Sequence, residues 1–553
     1  MGNLIKRIWG FAAALALICV AAGAMADMTI STIADWEAFA AQAQGGETFA
    51  GETITLANDL NFGGAYIFAA KDGTTTADLR IPNFAGTFNG QGHKLYNMKY
   101  SAENTSGVRA TIFSGTLTGT LKNLRVEDVT AYFDLSGTQD ARFAPVANTV
   151  SGYLENVHTK NISAESVGNS TAIWFTGMFV YAKKGALIAK DCSVTNFDVD
   201  AVHTYIIGGF TGVITPNNKF ENCDIINAKF TVNRIGDVFG GFAGQTQSGG
   251  SNATFTNCDV KNLQVDAKDI AEGVNVGGFI SSIGGAAKFN DCAVTGSISV
   301  EKGTEKSAVG GFVGDLGWNQ IYGPNRDHKF VGCSADVNVT TVNANAGGFV
   351  GNSTVAGHPY RYMPTYFIGC TASGDVTSAN ASAGGFVGVG DRGVYEGCTA
   401  SGDVKGKIAG GFWGSMYPKS AEPTGPDHPD KKENQKTKIV DSGASGKVNG
   451  SEYAAGLVGY IDNVYGDNDD GYATPVVLLN VDPSDNVSGP HKDAVYNPID
   501  DKPKIELSLA VPPKNVISSL PQTGDASNMA LFAALLSISA VGLAILKRKE
   551  NAA

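Results

Sequence analysis

The sequence has little charge and lacks the short patterns that many enzymes carry. Charged residues make up 17% of the 553 residues, and the formal net charge is −12, which argues against nucleic acids and anionic membranes as partners. No two of the seven histidines lie within five residues of each other, so the His-Glu-x-x-His pattern of zinc proteases is absent. No Cys-x-x-Cys pair occurs. We therefore expect no cofactor, no metal site and no enzymatic activity.

Long amphipathic helical stretches are also scarce, whereas glycine is abundant, with 70 residues and no collagen period. This composition favours many tight turns over long helices. One short helix is predicted from Asp35 to Ala43, with Trp36 and Phe39 facing one side and Thr32 as a possible N-cap. Its position ahead of the main body predicts a cap on the open end of that body.

The N-terminus reads as a secretory signal peptide. Lys6 and Arg7 precede an apolar run from Ile8 to about Ala22, and Ala24-Met25-Ala26 supplies the small-x-small site of signal peptidase at Ala24 and Ala26. The predicted mature chain begins at Asp27. A retained membrane anchor is the alternative, but the run is short for a spanning helix.

The C-terminus carries three elements in order. Leu520-Pro521-Gln522-Thr523-Gly524 is followed by a largely apolar stretch from Met529 to Leu546 and then by Lys547-Arg548-Lys549. Eighteen helical residues at ~1.5 Å each roughly span a bilayer core, and the basic cluster would stay on the cytoplasmic side. An ordinary single-pass anchor is the alternative interpretation.

This ending resembles the sorting signal of sortase-anchored (LPxTG) Gram-positive surface proteins. The resemblance implies that the sortase thiolate attacks the carbonyl of Thr523, that Gly524 begins the discarded tail, and that an amine of the wall precursor then resolves the thioester. The expected partners are therefore sortase and peptidoglycan, and the membrane only through the C-terminal helix of the precursor. The expected location is the cell wall surface.

The interior repeats the phrase Gly-Gly-Phe, with a Leu variant at Gly456-Leu457 and a degraded copy at Gly177-Met178-Phe179. The phenylalanines of the clear copies are 26 to 37 residues apart. They are Phe210, Phe242, Phe279, Phe312, Phe349, Phe386 and Phe412. An aromatic residue three positions before a cysteine follows each of the first six, as in Phe220 with Cys223 and Tyr395 with Cys398.

Each unit of about 34 residues holds about three short strand candidates separated by Gly, Asn and Ser turns. This pattern predicts an all-β fold, a parallel β-helix or β-solenoid with one unit per turn. Phenylalanines from Phe210 to Phe386 would form a ladder inside it, and the paired glycines would let the backbone bend between faces. A propeller or a string of small sandwiches is the alternative, although a propeller blade needs four strands and a longer period.

Seven cysteines follow the signal peptide, one in each unit. This periodicity favours a ladder of buried thiols, in which Cys behaves as a small hydrophobic residue. Stacked neighbours would also come within disulfide reach in an exported protein, so the disulfide-bonded form remains an alternative. The seven are Cys192, Cys223, Cys258, Cys292, Cys333, Cys370 and Cys398.

The units from about residue 170 to 460 resemble the GLUG-type repeats of bacterial surface proteins. Phe84-Ala85-Gly86-Thr87-Phe88-Asn89-Gly90-Gln91-Gly92-His93 resembles the leader phrase of such proteins, with Asn89 in place of Asp, and Leu121 to Leu124 resembles a following strand. The resemblance implies a parallel β-helix on an exported protein and no shared activity. Some GLUG-bearing proteins are metalloproteases, but their catalytic part is missing here.

We predict five regions along the chain. They are a signal peptide (1–26), an N-terminal capping region (27–83), a β-solenoid (84–480), a polar, proline-containing stalk (481–519) and the sorting signal with its transmembrane helix (520–553). The stretch 418–438 is rich in Pro, Lys, Asp and Glu, which predicts a solvated loop inserted in the repeat. Asp467 to Gly471 could hold Ca²⁺, but the segment fails the EF-hand pattern, and a solvated loop is favoured. His93 is interpreted as a turn residue.

The predicted function is an adhesin that binds glycans or proteins of a host or neighbouring cell. Two loop insertions hold candidate ligand-contact aromatics, namely Trp318, Tyr322, Tyr360, Tyr362 and Tyr366. Ordinary loop packing is the alternative role for these residues. A β-helix polysaccharide lyase or hydrolase and a passive surface coat or spacer remain as alternative functions, and convergence of three or more carboxylates would favour the enzyme.

Overall fold

A computed structural model describes residues 27–183, 187–247, 253–316, 328–353, 365–390, 393–417, 437–461, 476–489 and 506–509. Within these residues the chain is almost entirely β-structure with one short helix. None of the helices in this part of the chain is both long and apolar enough to cross a membrane, and the apolar stretch from Met529 to Leu546 lies outside it.

The elements up to residue 182 are β1 (Met28–Ile30), α1 (Ile33–Gln44), β2 (Thr53–Leu56), β3 (Leu60–Lys71), β4 (Thr74–Asp78), β5 (Thr87–Asn89), β6 (Lys94–Glu103), β7 (Val108–Ala110), β8 (Phe113–Leu117), β9 (Thr120–Asp134), β10 (Asp140–Phe143), β11 (Ala147–Val150), β12 (Tyr153–Ser166), β13 (Ala172–Thr176) and β14 (Phe179–Ala182). The elements that follow to residue 315 are β15 (Ile188–Lys190), β16 (Ser193–Gly208), β17 (Thr211–Ile214), β18 (Lys219–Glu221), β19 (Asp224–Gly240), β20 (Ala243–Thr246), β21 (Ala253–Thr256), β22 (Asp259–Ile270), β23 (Asn275–Gly277), β24 (Ile280–Ile283), β25 (Ala287–Asn290), β26 (Ala293–Val300), β27 (Ala308–Gly310) and β28 (Val313–Asp315).

The remaining strands are β29 (His328–Val331), β30 (Ser334–Thr341), β31 (Asn345–Gly347), β32 (Val350–Asn352), β33 (Thr365–Ile368), β34 (Thr371–Ala372), β35 (Val376–Gly384), β36 (Val387–Gly390), β37 (Val394–Glu396), β38 (Thr399–Ala400), β39 (Val404–Gly410), β40 (Trp413–Met416), β41 (Thr437–Val440), β42 (Gly443–Ala444), β43 (Val448–Ala455), β44 (Val458–Ile461), β45 (Val476–Val481), β46 (Val487–Ser488) and β47 (Glu506–Leu509).

Successive repeats stack in register as coils of a parallel β-solenoid, which confirms the predicted fold. In the coil from residue 287 to 315, β25, β26, β27 and β28 pair in parallel with β29, β30, β31 and β32 of the next coil. We call these four positions stacks 1 to 4. The antiparallel pair β3–β4 departs from this pattern near the N-terminal end.

Each coil has four strand positions rather than the three predicted. The aromatic phrase before each cysteine forms the stack 1 strand, and a turn residue at positive φ, such as Asn257 or Asp291, separates it from stack 2. The Gly-Gly-Phe phrase joins two strands, those of stacks 3 and 4, instead of forming one. After the Gly-Gly-Phe phrase the chain enters stack 4, which forms a separate eleven-stranded sheet from β8 to β44.

Two aromatic ladders fill the core. The predicted ladder is confirmed and extends to Phe412, with Phe279 stacked 4.7 Å from Phe242 and 4.8 Å from Phe312 between ring centroids. The aromatics that precede the cysteines form a second ladder, from Phe220 to Tyr395. The two ladders meet edge to face, for example at 5.6 Å between Phe279 and Phe289, the geometry that aromatic quadrupoles prefer.

The paired glycines allow close approach of the backbone. A Cβ on Gly277 would lie 1.9 Å from the carbonyl oxygen of Ile280, and a Cβ on Gly278 would lie 2.0 Å from that of Gly311 in the next coil. Neither residue has a positive φ. Glycine is therefore needed here for space between strands and between coils, not for a left-handed conformation.

The predicted helix is confirmed as α1, and it packs its apolar face against the first coils. Thr32 and Asp35 form a capping box at its N-terminus, and Trp36 and Phe39 are fully buried. The ring of Trp36 lies 6.3 Å from that of Phe88, and its Nε1 donates a hydrogen bond to the carbonyl oxygen of Leu79. Parallel pairing runs from β1 to β47, so it starts before residue 84 and continues after residue 480.

Candidate functional site

The connections from stack 4 to the next stack 1 distinguish one corner of the solenoid. Seven of the eight internal segments outside the described residues begin after a stack 4 strand and end before the next stack 1 strand. The segments are 184–186, 248–252, 317–327, 354–364, 391–392, 418–436 and 462–475. Because the flanking strands stack coil upon coil, the two ends of every segment lie at the same corner, which we call the loop corner.

The predicted ligand-contact aromatics belong to this corner by their position in the chain. Trp318 and Tyr322 fall in segment 317–327, and Tyr360 and Tyr362 fall in segment 354–364, so all four lie outside the described residues. Tyr366 lies in β33, half-buried, with Lys329 and Val394 at the same register in the adjacent coils. The possible Ca²⁺ segment from Asp467 to Gly471 also lies outside the described residues.

A shallow groove of about 440 Å³ follows the same corner in the first coils, where the connections are tight. Gly86, Gly119 and Gly152 line it, and Cβ atoms on Gly119 and Gly152 would each lie 1.9 Å from a carbonyl oxygen of the preceding coil. Thr53, Thr87, Thr120 and Tyr153 stack beside the glycines in register. The groove thus offers a regular row of hydroxyl groups along the axis.

Sequence reasoning missed this groove, although a signal is present. Gly86-Thr87, Gly119-Thr120 and Gly152-Tyr153 recur at 33-residue intervals. A constant interval places equivalent residues of successive coils side by side. This 33-residue interval is hard to detect because these coils lack the Gly-Gly-Phe phrase that identifies the later repeats.

The cysteines form the predicted ladder and are all free and buried. Burial raises the pKa of Cys223, Cys292 and Cys333 well above the ordinary value of a thiol. Against the effect of burial, hydrogen bonds from neighbouring thiols lower the pKa of Cys258 and Cys370. Because the thiolate is the nucleophile and the metal ligand, the three thiols with a raised pKa serve packing rather than chemistry.

The described residues contain no group of three or more His, Cys, Asp or Glu side chains arranged to hold a metal ion. His93 closes a turn, as its backbone N–H donates to Gly90, and its ring lies 3.0 Å from Asp59. Some acidic side chains are paired with bases along the outer faces, as in Lys261 with Asp224 and Asp259, each at 3.1 Å.

The two processing signals lie outside the described residues, and the C-terminal one is supported by comparison. Residues 512–552, which include Leu520 to Gly524, match the family described as the LPXTG cell wall anchor motif. The signal peptidase site at Ala24 and Ala26 stays a prediction. The match does not reach the repeats, so their GLUG-type identification also stays a prediction.

A search of curated proteins found no match to this chain. Its location therefore follows from the anchor motif, and its architecture follows from the stacked parallel coils. An anchor of this kind is joined to peptidoglycan by sortase, outside the membrane. The chain is a cell-wall-anchored surface protein whose body is a parallel β-solenoid.

Proposed function

We propose that this protein is a non-enzymatic adhesin that presents a ligand-binding surface at the loop corner. The observation that supports this proposal is that seven connections of different length begin and end at one corner of the solenoid. Binding residues concentrate on loops that a rigid scaffold positions. Here the scaffold is held by two interlocking aromatic ladders, and the loops differ in length and composition from coil to coil.

The ligand is a glycan or a protein of another cell, and the contact residues are aromatic. Segments 317–327 and 354–364 leave adjacent coils, since β28 pairs with β32 and β29 pairs with β33. They contain Trp318, Tyr322, Tyr360 and Tyr362. Aromatic side chains with a polar group contribute large contact areas to both sugar and protein interfaces.

The test uses cells that display the full anchored chain, probed with arrays of glycans and of extracellular proteins. We expect a ligand that binds displaying cells and not cells that lack the chain. Trp318→Ala and Tyr360→Ala should weaken binding about tenfold or more, as hot-spot truncations do. Lys431→Ala, in segment 418–436 at the same corner but without an aromatic residue, is the matched control and should bind normally. Binding unaffected by both aromatic variants would contradict the proposal.

Hydrolysis is the competing function, and one arrangement favours it. Nδ1 of His158 lies 2.8 Å from Oγ of Ser193, and Nε2 lies 2.7 Å from Oδ1 of Asn156. The amide of Asn156 is oriented by its donation to Asn123, so its oxygen faces the imidazole. Nε2 then carries the proton, and Nδ1 is free to accept from the serine hydroxyl, the relation between a nucleophile and its base.

Burial and the charge of Arg125 lower the pKa of His158, which keeps it neutral. A fluorophosphonate probe that labels the displayed protein, with loss of labelling in Ser193→Ala, would establish a reactive serine and favour the hydrolase. The adhesin proposal predicts no labelling. We assign the pair a structural role along the outer row of the solenoid, where His158 and Ser193 occupy the same register in adjacent coils.

A further inference from the structure

A small hydrophobic cluster lies outside the main core, between stacks 3 and 4 of the N-terminal coils. Its buried members are Ala144, Trp174, Val180, Ile206, Val213 and Val238, with Tyr181 packed against them. The stack 3 residues of this cluster occupy one register, in which Arg142 pairs with Trp174, Trp174 with Ile206, and Ile206 with Val238. We call the line where these two stacks face each other the seam.

The side chains at the seam change along the axis. In β13 and β14 the ring centroids of Trp174 and Tyr181 lie 5.2 Å apart. In later coils the facing positions hold small polar residues, such as Ser382 and Ser415, whose hydroxyl oxygens lie 2.6 Å apart. Large aromatic groups fill the seam near its N-terminal end, where Arg142 is located, and again in the coil of β43 and β44, where the ring centroids of Tyr453 and Tyr460 lie 5.1 Å apart.

Arg142 is held in place by rings rather than by hydrogen bonds. Its Cζ lies 4.7 Å from the ring centroid of Trp174 and 5.1 Å from that of Tyr181, both within cation–π range. Its Nε is 3.6 Å from Oδ1 of Asp140, which is too long for a hydrogen bond. Nε is buried and has no hydrogen-bond acceptor among the described residues.

The nearby carboxylate is already engaged by another arginine. Nη1 of Arg109 donates to Oδ2 of Asp140 at 2.8 Å. The side chain of Arg142 is 22% exposed to solvent. It therefore presents a fixed cation at the surface, with hydrogen-bonding capacity that the described residues leave unused. A guanidinium in this state is suited to an external oxyanion.

An exposed ring contacts the same tryptophan from the next coil. Tyr205 is 38% exposed, and its ring centroid lies 5.9 Å from that of Trp174. The negative charge of the nearby Asp237 and partial burial raise the pKa of the Tyr205 hydroxyl, which stays protonated. A flat aromatic face and a fixed guanidinium therefore flank Trp174, and they offer two contacts of different chemistry, one for an apolar surface and one for an anion.

We propose that Arg142 and Tyr205 form a binding site for an acidic saccharide, with the sugar carboxylate on the guanidinium and the C–H face of the sugar on the tyrosine ring. A planar carboxylate matches the arginine fork. One unsatisfied guanidinium suits a singly charged carboxylate better than a phosphate dianion. The net charge of −12 disfavours long polyanions, so a single acidic residue at the end of a glycan is the expected form.

This site is separate from the loop corner and does not depend on a ligand there. The test measures binding of fluorescent oligosaccharides that end in a sialic or uronic acid to cells displaying the full anchored chain. The same oligosaccharides with the carboxyl group reduced to an alcohol serve as neutral probes. Surface amount is measured with an antibody to the chain, which separates lost binding from lost display.

We expect the acidic probes to bind and the reduced probes to bind at least about tenfold more weakly, as loss of a charge-assisted contact predicts. Arg142→Gln and Tyr205→Ala should each lower binding of the acidic probe about tenfold or more, and Arg142→Lys should lower it as well, because lysine lacks the planar fork. Trp318→Ala should leave this binding unchanged, which distinguishes the site from the loop corner.

Two matched controls exclude a general effect of charge or exposed aromatic area. Arg234→Gln removes an exposed arginine that is paired with Asp269 at 2.9 Å. Tyr132→Ala removes a tyrosine with 37% exposure, nearly that of Tyr205. Both variants should bind like the native chain. Equal binding of reduced and acidic probes, no binding of either, or full binding by Arg142→Gln would overturn the proposal.

Discussion

At the scale of single residues, the solenoid depends on positions where only one or two residue types fit. The residue before each cysteine has a positive φ and is always Asn, Asp or Gly, as in Asp191, Asn222 and Gly332. These types tolerate the left-handed region at least cost. Each such residue ends a stack 1 strand and turns the chain into stack 2, so it also fixes which face the following cysteine occupies.

Replacing one glycine of a Gly-Gly-Phe phrase should show that these residues supply space. Gly278→Ala would place a Cβ 2.0 Å from a backbone oxygen of the next coil, and we expect a loss of about 3–5 kcal/mol in unfolding free energy. Gly273→Ala is the control, since Gly273 has a positive φ of 76° and open space around it, and should lose about 1–2 kcal/mol. Equal losses in urea unfolding would contradict this explanation.

The buried His328 should make stability depend on pH. Burial lowers the pKa of His328 to about 4 in the folded chain, whereas an unfolded histidine titrates near 6.5. Between these values the unfolded chain binds a proton that the folded chain does not, so stability falls as the pH falls from 6.5 towards 4.

The measurement compares the native chain with His328→Thr, which copies Thr365 at the same register in the next coil. Between pH 7 and pH 5 the native chain should lose about 2 kcal/mol more unfolding free energy than the variant. Parallel pH dependences of the two proteins would show that His328 does not remain neutral when folded.

At the scale of the element, the aromatic ladders hold the coils in register. Phe279 stacks on Phe242 and Phe312 and meets Phe255 and Phe289 edge to face. Every ring in the middle of a ladder is thus contacted from the coils on both sides. A solenoid coil cannot bury its own apolar edges, so these contacts between coils provide much of its stability.

Phe279→Ala should lower unfolding free energy by about 3–5 kcal/mol through lost burial and the cavity that remains. Phe279→Leu keeps most of the apolar volume but loses the ring pairing, so its loss should be about 1–1.5 kcal/mol. Urea denaturation followed by circular dichroism measures both. If the two variants are equally destabilised, ring geometry rather than filled volume holds the coils together.

At the scale of the whole molecule, the exported body and its attachment are separate parts. Strand pairing runs through the body to β47, and the matched anchor begins at residue 512. The body determines which surfaces are exposed, and the anchor determines where they are displayed. Loss of the anchor should therefore leave the body folded but no longer attached.

We expect muramidase digestion of the wall to release the chain with Thr523 as its last residue. Tryptic digestion should then give a peptide from Asn515 to Thr523 that carries a wall-derived amine, which mass spectrometry detects. Thr523→Ala should abolish this species, because the sortase acyl intermediate forms at Thr523. Gln522→Ala changes the variable position of the motif and should retain it. A wall-bound chain that still carries Gly524 would contradict the mechanism.

Much of the fold could be predicted from the sequence because like side chains recur at a nearly constant interval. The interval from Phe210 to Phe386 indicated one coil per repeat, and the single cysteine in each unit indicated a ladder rather than a metal site. The fourth strand of each coil was missed, since a strand of three or four residues after Gly-Gly-Phe carries too little pattern to stand apart from a turn. The groove of Gly86 and Thr87 was missed because its coils lack that phrase.

The sequence by itself determined the location, the repeat and the residues of the core, because each of these follows from the order of residues along the chain. Only the tertiary structure decided which outward-facing residues of different coils become neighbours. Arg142, Trp174 and Tyr205 are 32 and 31 residues apart in sequence, and coil stacking brings Trp174 into contact with both of the others. The position of the connections at one corner also depends on coil stacking, since a local sequence pattern does not show which strand of another coil lies next to a given strand.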